Sequence, residues 1–554
     1  MGKFEWLMEW KGKTLWDLWE SACARHGESE FVVDRNQRVS YLEMHALVNS
    51  FARGLIELGI KKGDKVAIWM PNCLDWALAE FSVIAIGGVM VPLSTRFRSY
   101  DVEYILKQSD SAALIMSDSL GKIDFYRIIC EVCPEIEHSE PGDLRSEKLP
   151  LLRHVIVPGD HARPGCLSTR QVIDRGERIA PGELQERRSE ILPQDVVNIP
   201  YTSGTTGFPK GVMTSHEQYL GQTVCFRQRL GMREKDRFIA IAPFFANFGN
   251  YFGILLPTMV GGCSIMIGAY NPALALKLIE NERATHFSGT PTMYLDLLNH
   301  PDFDRSRVSS LRTAMTGAAP APVQMVKDVY SKMGVEVICN GYGMTENSGC
   351  TTMTARGDDP EVLAETTGHP LPGVSICIKD PATGETLKPR EVGELCTRGW
   401  IVMKGYYKME EQTKKCFDEQ GWFHTGDLGM LDEEGHFIIT GRLKDMFISG
   451  GFNVYPAEVE NFLYTLQGVV QVAIVGFPDE RMGEVGMAFV VPKAGCSLTE
   501  EDVLSYCKGH IAGYKVPRHV VFVDEMPMAG VGKIQKFVLC ERGMEELQKR
   551  RVKG

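Results

Sequence analysis

Two rhythms of apolar residues follow one another along the chain. From Leu15 to about Asp118 the segments LWDLWESACARHG, DWALAEFSVIAIGG and SYDVEYILKQ place their apolar positions at helical spacing, while DKVAIWM, VMVPLS and AALIMS are short apolar runs of strand length. Helix and strand alternating in this way predict parallel strands joined by crossover helices. Between about Pro134 and Gln194 the composition turns charged and Pro-rich around one strand, RHVIVPG, which reads as a surface excursion. The alternation resumes with RFIAIAP, CSIMIG, THFSG, LRTAMTG and VEVICNGYG, most of which end in glycine-rich turns. Turns at the carboxyl ends of parallel strands are where such sheets bind ligands.

From Gly373 the pattern shifts to short strands with hairpin turns, SICIKDPATGETL and GMLDEEGHFIIT, predicting a β-rich module. A further unit starts near Gly441. PAEVENFLYTL and TEEDVLSYCKGHI are helical there, and VVQVAIVG, GMAFVVP and HVVFVDEMP are extended. The expected organisation is therefore α/β over residues 1–440 and a small α+β domain over 441–554, without internal repeats. Phe238 to Leu276 contains no Asp, Glu, Lys or Arg, yet Pro243, Pro257, Pro272 and several glycines divide it into pieces too short for a transmembrane helix.

A net charge of −11 argues against nucleic acid as a partner and makes any phosphate recognition local. The fifteen cysteines are scattered and the N-terminus lacks a secretory apolar stretch, so a reducing, cytoplasmic setting is expected. Cys130 and Cys133 form the one close pair; no second pair stands at zinc-site spacing.

The stretch YTSGTTGFPKGV, Tyr201 to Val212, sets three glycines, four Ser/Thr hydroxyls and Lys210 directly after an apolar run. Backbone N–H groups and hydroxyls in such a turn form the donor array that polyphosphate oxygens accept from. At about 4 Å and an effective dielectric of about 20, a lysine–phosphate pair adds roughly 4 kcal/mol before desolvation. It is not a Walker loop, because counting from Gly204 puts Pro209 where that motif requires glycine.

The loop resembles the phosphate loop of the adenylate-forming superfamily, which includes acyl-CoA synthetases. The resemblance continues in order through GDKVAIWMPN, TGAAP, NGYGMTE, GWFHTGDLG, GRLKDMFISGGFNVYPAEVE and GKIQK. It implies a large N-terminal α/β region of several subdomains with a β-rich module, and a small mobile α+β C-terminal domain. The implied chemistry joins a small-molecule carboxylate to the α-phosphate of ATP with Mg2+ present, then passes the acyl group to coenzyme A with release of AMP. By the same resemblance Thr202, Ser203, Gly204, Thr205, Thr206, Gly207 and Lys210 hold the phosphates. Gly317, Ala318 and Ala319, with Asn340, Gly341, Tyr342, Gly343 and Met344, line the nucleotide, Tyr342 stacking on adenine. Thr345 contacts the α-phosphate, Glu346 carries magnesium, and Asp427 takes the ribose hydroxyls backed by Arg442. Lys533 is the mobile catalytic lysine, Lys444 the hinge, and Gly450 and Gly451 the turn beside CoA. Ala529 and Val531 stand where the family usually has Thr and Ser.

The segment PFFANFGNYFG lacks the aspartate that amino-acid-activating relatives carry, and only eighteen residues follow Lys536, which leaves no carrier domain. The expectation is a free-standing ligase using diffusible CoA. Its acyl pocket is expected around Phe245, Ala246, Asn247, Gly317 and Gly343, with Ala246 where acyl-CoA synthetases often have His. The aromatic segment suits a medium-chain or cyclic carboxylate, although several of its rings could equally be core. Another acceptor than CoA, or a non-catalytic nucleotide-binding relative, are the alternatives. A homodimer stays open.

Overall fold

Six strands from distant parts of the chain run parallel in one sheet: Glu30–Asp34, Cys263–Met266, Arg237–Ala240, His286–Gly289, Thr313–Gly317 and Val337–Tyr342, in that spatial order. Gln37–Ser40 extends one edge, and Thr352–Met353 and His369–Pro370 the other, all three antiparallel. The structure is a computed structural model describing residues 9–160, 163–202, 209–317, 319, 321–450, 452–479, 481–508, 510–528 and 534–553, without the side chains of 453 and 549–553. The five strands read after the glycine-rich loop all lie in this sheet. The N-terminal hairpin beside them was not legible, since nothing local in EFVVD marks Ser264 as the partner of Val32.

A second, seven-stranded sheet has the order Thr214–Ser215, Val196–Asn198, Val89–Pro92, Lys65–Trp69, Ser111–Met116, His154–Val157 and Leu167–Ser168, parallel except for its first pair. Helices Leu15–His26, Leu74–Ala85 and Ser99–Gln108 stand where the apolar rhythm predicts them, and a further helix, Tyr41–Glu57, lies in a stretch for which the sequence reading named no element. Thr14 and Ser40 close the first two with capping boxes, satisfying donors that a helix start leaves unpaired.

Residues 134–194 depart from expectation. Leu144, Leu149, Leu152, Cys166, Val172 and Leu184 are buried, so this stretch is part of the core and not a surface excursion. Helix Thr169–Gly176 lies so close to Tyr41–Glu57 that a Cβ on Gly54 would sit 2.0 Å from the Val172 carbonyl oxygen, and one on Gly176 would sit 2.3 Å from that of Ser50. Charged flanks had masked a helix pair whose contact face is glycine backbone.

Both sheets belong to a unit comprising Met1–Ser375 and Arg398–Phe417; the second unit is Ile376–Thr397 with Asp418–Gly554. The 440/441 boundary read from the sequence falls inside the second unit. There the strands Val374–Lys379, Gly393–Gly399, Phe423–Leu431 and Phe437–Arg442 form a four-stranded sheet. A five-stranded sheet follows, built on the long pair Val469–Asp479 and Gly483–Pro492, with His519–Phe522 parallel to the latter. Separate apolar clusters fill its two faces, one around Phe447, Leu463, Ile474 and Val490, the other around Phe477, Phe489 and Leu539. No helix among the described residues is long and apolar enough to cross a membrane, and residues 238–276 divide into strands and helices as expected. All fifteen cysteines are free thiols.

Candidate active site

The carboxyl ends of Thr313–Gly317 and Val337–Tyr342 lie side by side, with Gly317 opposite Gly341. The chain then turns through the single 3₁₀ turn Thr345–Asn347 and Ser348 at φ +58°. Gly343 makes that turn possible: a Cβ there would lie 1.9 Å from the carbonyl oxygen of Gly349. The Met344 carbonyl accepts from the N–H groups of Asn347 and Gly349 at 3.1 and 3.0 Å, which holds Thr345 and Glu346 in a fixed arch.

Glu346 is only 8% exposed. Its Oε1 accepts from the Tyr406 hydroxyl at 2.9 Å and from the Thr202 hydroxyl at 3.4 Å, and its carbonyl accepts from Met403 N–H at 2.7 Å. Burial, reinforced by the Glu346 charge, pushes the Tyr406 phenol far above its ordinary range, so Tyr406 is a fixed hydrogen-bond donor. Lys210 Nζ sits 4.9 Å from the centre of the Tyr406 ring.

Ser203, Gly204, Thr205, Thr206 and Gly207 lie outside the described residues, but both ends of their loop are well anchored. Tyr201 pairs with Gly211 and Thr202 with Lys210 in a short antiparallel ladder. Tyr104 donates to the Pro209 carbonyl at 3.0 Å. Val212 bridges to Tyr406, and Met213 N–H donates to Gly405 O at 2.9 Å. Thus the loop ends, Glu346 and Tyr406 are one connected assembly. Tyr406 escaped the sequence reading because its signal, an aromatic pair in KGYYK, gains meaning only when Arg398–Phe417 packs back on the first unit.

Among the other expected nucleotide residues, Tyr342 is buried, Ala319 is exposed, and Ala318 lies outside the described residues. The Asn340 side-chain amide donates to the carbonyls of Leu363 and Thr366 at 3.0 and 3.1 Å, so it pins the strand to the neighbouring helix end. In the second unit Asp427, 3% exposed, stands opposite Arg442 across two strands, and Arg442 Nε donates to Asp427 Oδ1 at 2.9 Å. Lys444 follows in a turn held by bonds from Asp445 and Met446 N–H to Arg442 O. Gly450 has φ +60°, a left-handed value that glycine tolerates, in the turn after Phe447–Ser449. Gly451 and Lys533, with Ala529 and Val531, lie outside the described residues.

The acyl segment is sorted by the fold. Phe244 is core, edge-on to Trp76 and pressed against Gly253; Phe252 stacks on His286, which burial keeps neutral by lowering its pKa to about 3. Tyr251 donates to the Ser348 carbonyl at 2.6 Å, tying this segment to the Glu346 arch. Phe245 is buried as well, while Ala246, Asn247 and Phe248 are half-buried, and Asn247 Oδ1 accepts from the Tyr219 hydroxyl at 2.5 Å. Behind them Glu80 is wholly buried, its Oε2 accepting from Trp76 Nε1 at 3.0 Å and Asn250 Nδ2 at 2.7 Å. Burial raises the Glu80 carboxyl to about 7, opposed by those two bonds.

Comparison with known proteins identifies the family. The profile of the AMP-binding enzyme family matches residues 19–407, and that of the AMP-binding enzyme C-terminal domain matches residues 458–533. A ligase of Rhodococcus jostii (strain RHA1), named for joining CoA to a dioxo-octahydroindenyl propanoyl group, is 36% identical over 94% of this chain and 97% of its own. Medium-chain acyl-CoA ligase ACSF2, mitochondrial, of Macaca fascicularis is 35% identical over 96% of this chain and 87% of its own. The crystal structure of the anthranilate CoA ligase AuaEII in complex with anthranoyl-AMP superposes with TM-score 0.83 at 26% identity, covering 96% of this chain and 97% of that one.

Proposed function

From the premise that this chain belongs to the AMP-binding enzyme family and is an AMP-forming acid–CoA ligase, we propose that it activates apolar monocarboxylates, medium-chain or cyclic, through the residues assembled around Glu346. The first half-reaction joins a carboxylate oxygen to the α-phosphorus of ATP as pyrophosphate leaves. In the second, the CoA thiol, losing its proton, attacks the acyl carbon and AMP leaves.

The observation that carries this reading is the convergence of Thr202, Lys210, Tyr406 and buried Glu346 at the ends of two parallel strands. Lys210 and the hydroxyls of the loop supply donors for the β- and γ-phosphates, and Thr345 supplies one for the α-phosphate. Glu346 would oppose the same phosphates by charge unless a cation lay between them. Its carboxylate and the nearby Thr202 hydroxyl are hard oxygen donors of the kind Mg2+ prefers. Bound there, Mg2+ would neutralise phosphate charge, with Glu346 as its protein ligand. Tyr406 holds the Glu346 carboxylate in one orientation. Asp427 accepts from the ribose hydroxyls, its own position set by Arg442. Lys533 counters the charge that develops on the carboxylate and α-phosphate oxygens. The segment carrying it, residues 441–554, is the mobile one in this proposal, with Lys444 as hinge and Gly450 and Gly451 beside CoA. The free thiols throughout the chain fit a cytoplasmic setting.

For the acyl group the support is the uncharged stretch Phe244 to Phe252, and relatives named for medium-chain, bicyclic and aromatic acyl groups. Each CH₂ buried there adds about 0.8 kcal/mol, roughly fourfold in affinity. AMP release with CoA present, scored over acetate, hexanoate, octanoate, benzoate, cyclohexanecarboxylate and amino acids, tests the proposal. The apolar acids are expected to exceed acetate in kcat/KM by at least about tenfold; acetate leading the panel would overturn the acyl assignment.

A further inference from the structure

On the strands around Asp427, the four-stranded sheet of the second unit carries a cluster of two thiols, an imidazole and a carboxylate that has no role in the reaction as assigned above. Cys377, Cys396 and His424 sit on three neighbouring strands, Val374–Lys379, Gly393–Gly399 and Phe423–Leu431. Cys396 is the direct cross-strand partner of His424, so the two side chains project from the same face. Cys377 lies on the strand next to that of Cys396. Two residues before Cys396, past a register shift, Glu394 returns to that face. Its Oε2 lies 2.7 Å from His424 Nδ1, and Cys396 Sγ lies 3.5 Å from the same nitrogen. One ligating atom each from Glu394, Cys396 and His424 lies within 4.8 Å of the others.

We propose that Cys377, Cys396, His424 and Glu394 bind a divalent cation of borderline softness, of which zinc is the type. Two sulfurs, one imidazole nitrogen and one carboxylate oxygen make four donors of the kinds tetrahedral zinc sites use. Metal-bound histidines direct their second ring nitrogen at a carboxylate. Here His424 Nε2 faces Asp418 Oδ2 at 3.6 Å, leaving Nδ1 toward Cys396 and Glu394. Lys379 pairs with Asp418, holding that carboxylate in place outside the donor set. Two of the donors are largely shielded from water: Cys396 is fully buried and Glu394 is 7% exposed. On binding, two sulfur–metal bonds, one nitrogen–metal bond and one oxygen–metal bond form, the hydrogen bond between His424 Nδ1 and Glu394 Oε2 is given up, and the thiol protons pass to solvent; no electron is transferred.

The site would brace the strand that carries Asp427. Glu394 Oε1 accepts from Gly426 N–H at 2.9 Å and Thr425 Oγ1 donates to Leu395 O at 2.7 Å, so the backbone directly before Asp427 is already tied to Glu394 and its neighbour. A cation shared by Glu394 and His424 would tighten that tie, three residues from Asp427.

The test is a titration of the reduced, metal-free full-length protein with Co2+ under argon, read by absorption. One equivalent is expected to bring up thiolate-to-cobalt charge transfer together with tetrahedral d–d bands, and Zn2+ should abolish both by displacement. Cys377→Ser and Cys396→Ser should each lower the charge-transfer intensity by about half. His424→Gln should weaken Co2+ affinity by at least about tenfold. Cys416→Ser, outside the cluster, should leave the spectrum unchanged, and circular dichroism checks that each variant is folded. Absence of the charge-transfer band at tenfold excess Co2+, or its survival in the Cys377→Ser/Cys396→Ser double variant, would overturn the proposal. So would a reduced protein that binds no Co2+ yet, on exposure to air, loses two thiols mapped to Cys377 and Cys396, which would mark the pair as a disulfide switch.

Discussion

Glu346 illustrates how little a single side chain declares until its neighbours are known. In sequence it is one carboxylate after Thr345; in the fold it is buried with two hydroxyl donors on one oxygen. Glu346→Gln keeps an oxygen for Tyr406 and Thr202 and loses the charge that faces the cation. The variant is expected to melt within a degree or so of the parent while acid-dependent exchange of pyrophosphate into ATP falls roughly hundredfold, about 2.7 kcal/mol of barrier. Wild-type exchange across a magnesium titration would remove Glu346 from the ligand position. Glu80 makes the opposite case, a carboxyl whose burial costs stability. Its folded pKa of about 7 lies above the ordinary carboxyl value of 4.5, so the native state holds the proton more tightly. Stability is therefore greatest below that unfolded value and declines as pH rises toward the folded one, by on the order of 3 kcal/mol at most. Glu80→Gln retains an acceptor for Trp76 and Asn250 and should raise Tm at pH 8 far more than at pH 5. An equal change at both pH values would show that the carboxyl is not the titrating group.

At the scale of elements, the arch from Gly343 to Gly349 depends on backbone touching backbone. Gly343→Ala would drive a methyl group into the Gly349 carbonyl and push Thr345 and Glu346 out of place. Overpacking of this kind costs about 1–3 kcal/mol, and adenylation should fall in step with the drop in Tm. Gly182→Ala provides the contrast. It sits in helix Pro181–Ser189 with nothing within 4 Å of the new Cβ, and is expected to leave both quantities unchanged or raise Tm slightly. If Gly343→Ala melted and turned over like the parent, the close approach in the arch would be relieved elsewhere at no cost. Helix and strand periods made these elements legible in sequence, because burial of one face imposes a period whatever the face packs against. Residues 134–194 escape this rule because Thr169–Gly176 packs through glycine backbone and Pro181–Ser189 buries only Leu184, contacts that a count of apolar positions does not register.

For the molecule as a whole, the sharpest expectation concerns the two half-reactions. Lys533 and the Gly450–Gly451 turn are assigned to different steps, although both lie in residues 441–554. Lys444→Pro restricts φ at the hinge and removes one donor, and it also restrains Leu443 before it. Acyl-adenylate formation should persist in this variant, while thioester formation from supplied acyl-adenylate and CoA slows about hundredfold, roughly 2.7 kcal/mol of barrier. Lys533→Ala should show the reverse, losing pyrophosphate exchange and keeping thioester formation. Parallel loss of both half-reactions in both folded variants would mean that one fixed arrangement serves both steps.

The sequence alone determined the alternation of strands and helices, the charge-free pieces of residues 238–276, the loop of donors at Thr202 to Lys210 and the order of motifs that names the chemistry, because each of these is written in neighbouring residues. Only the tertiary structure decided what those residues meet. It brought Tyr406 onto Glu346 from sixty residues away, separated Phe244, Phe245 and Phe252 as core from the half-buried Phe248, and occupied the Asn340 amide with two carbonyls. It also set Cys377, Cys396 and His424 side by side across three strands. A hydrophobic pattern records which face of an element is buried; the partner of that face is set by sheet order, register and close backbone approach, which join positions far apart in the chain and leave no period in it.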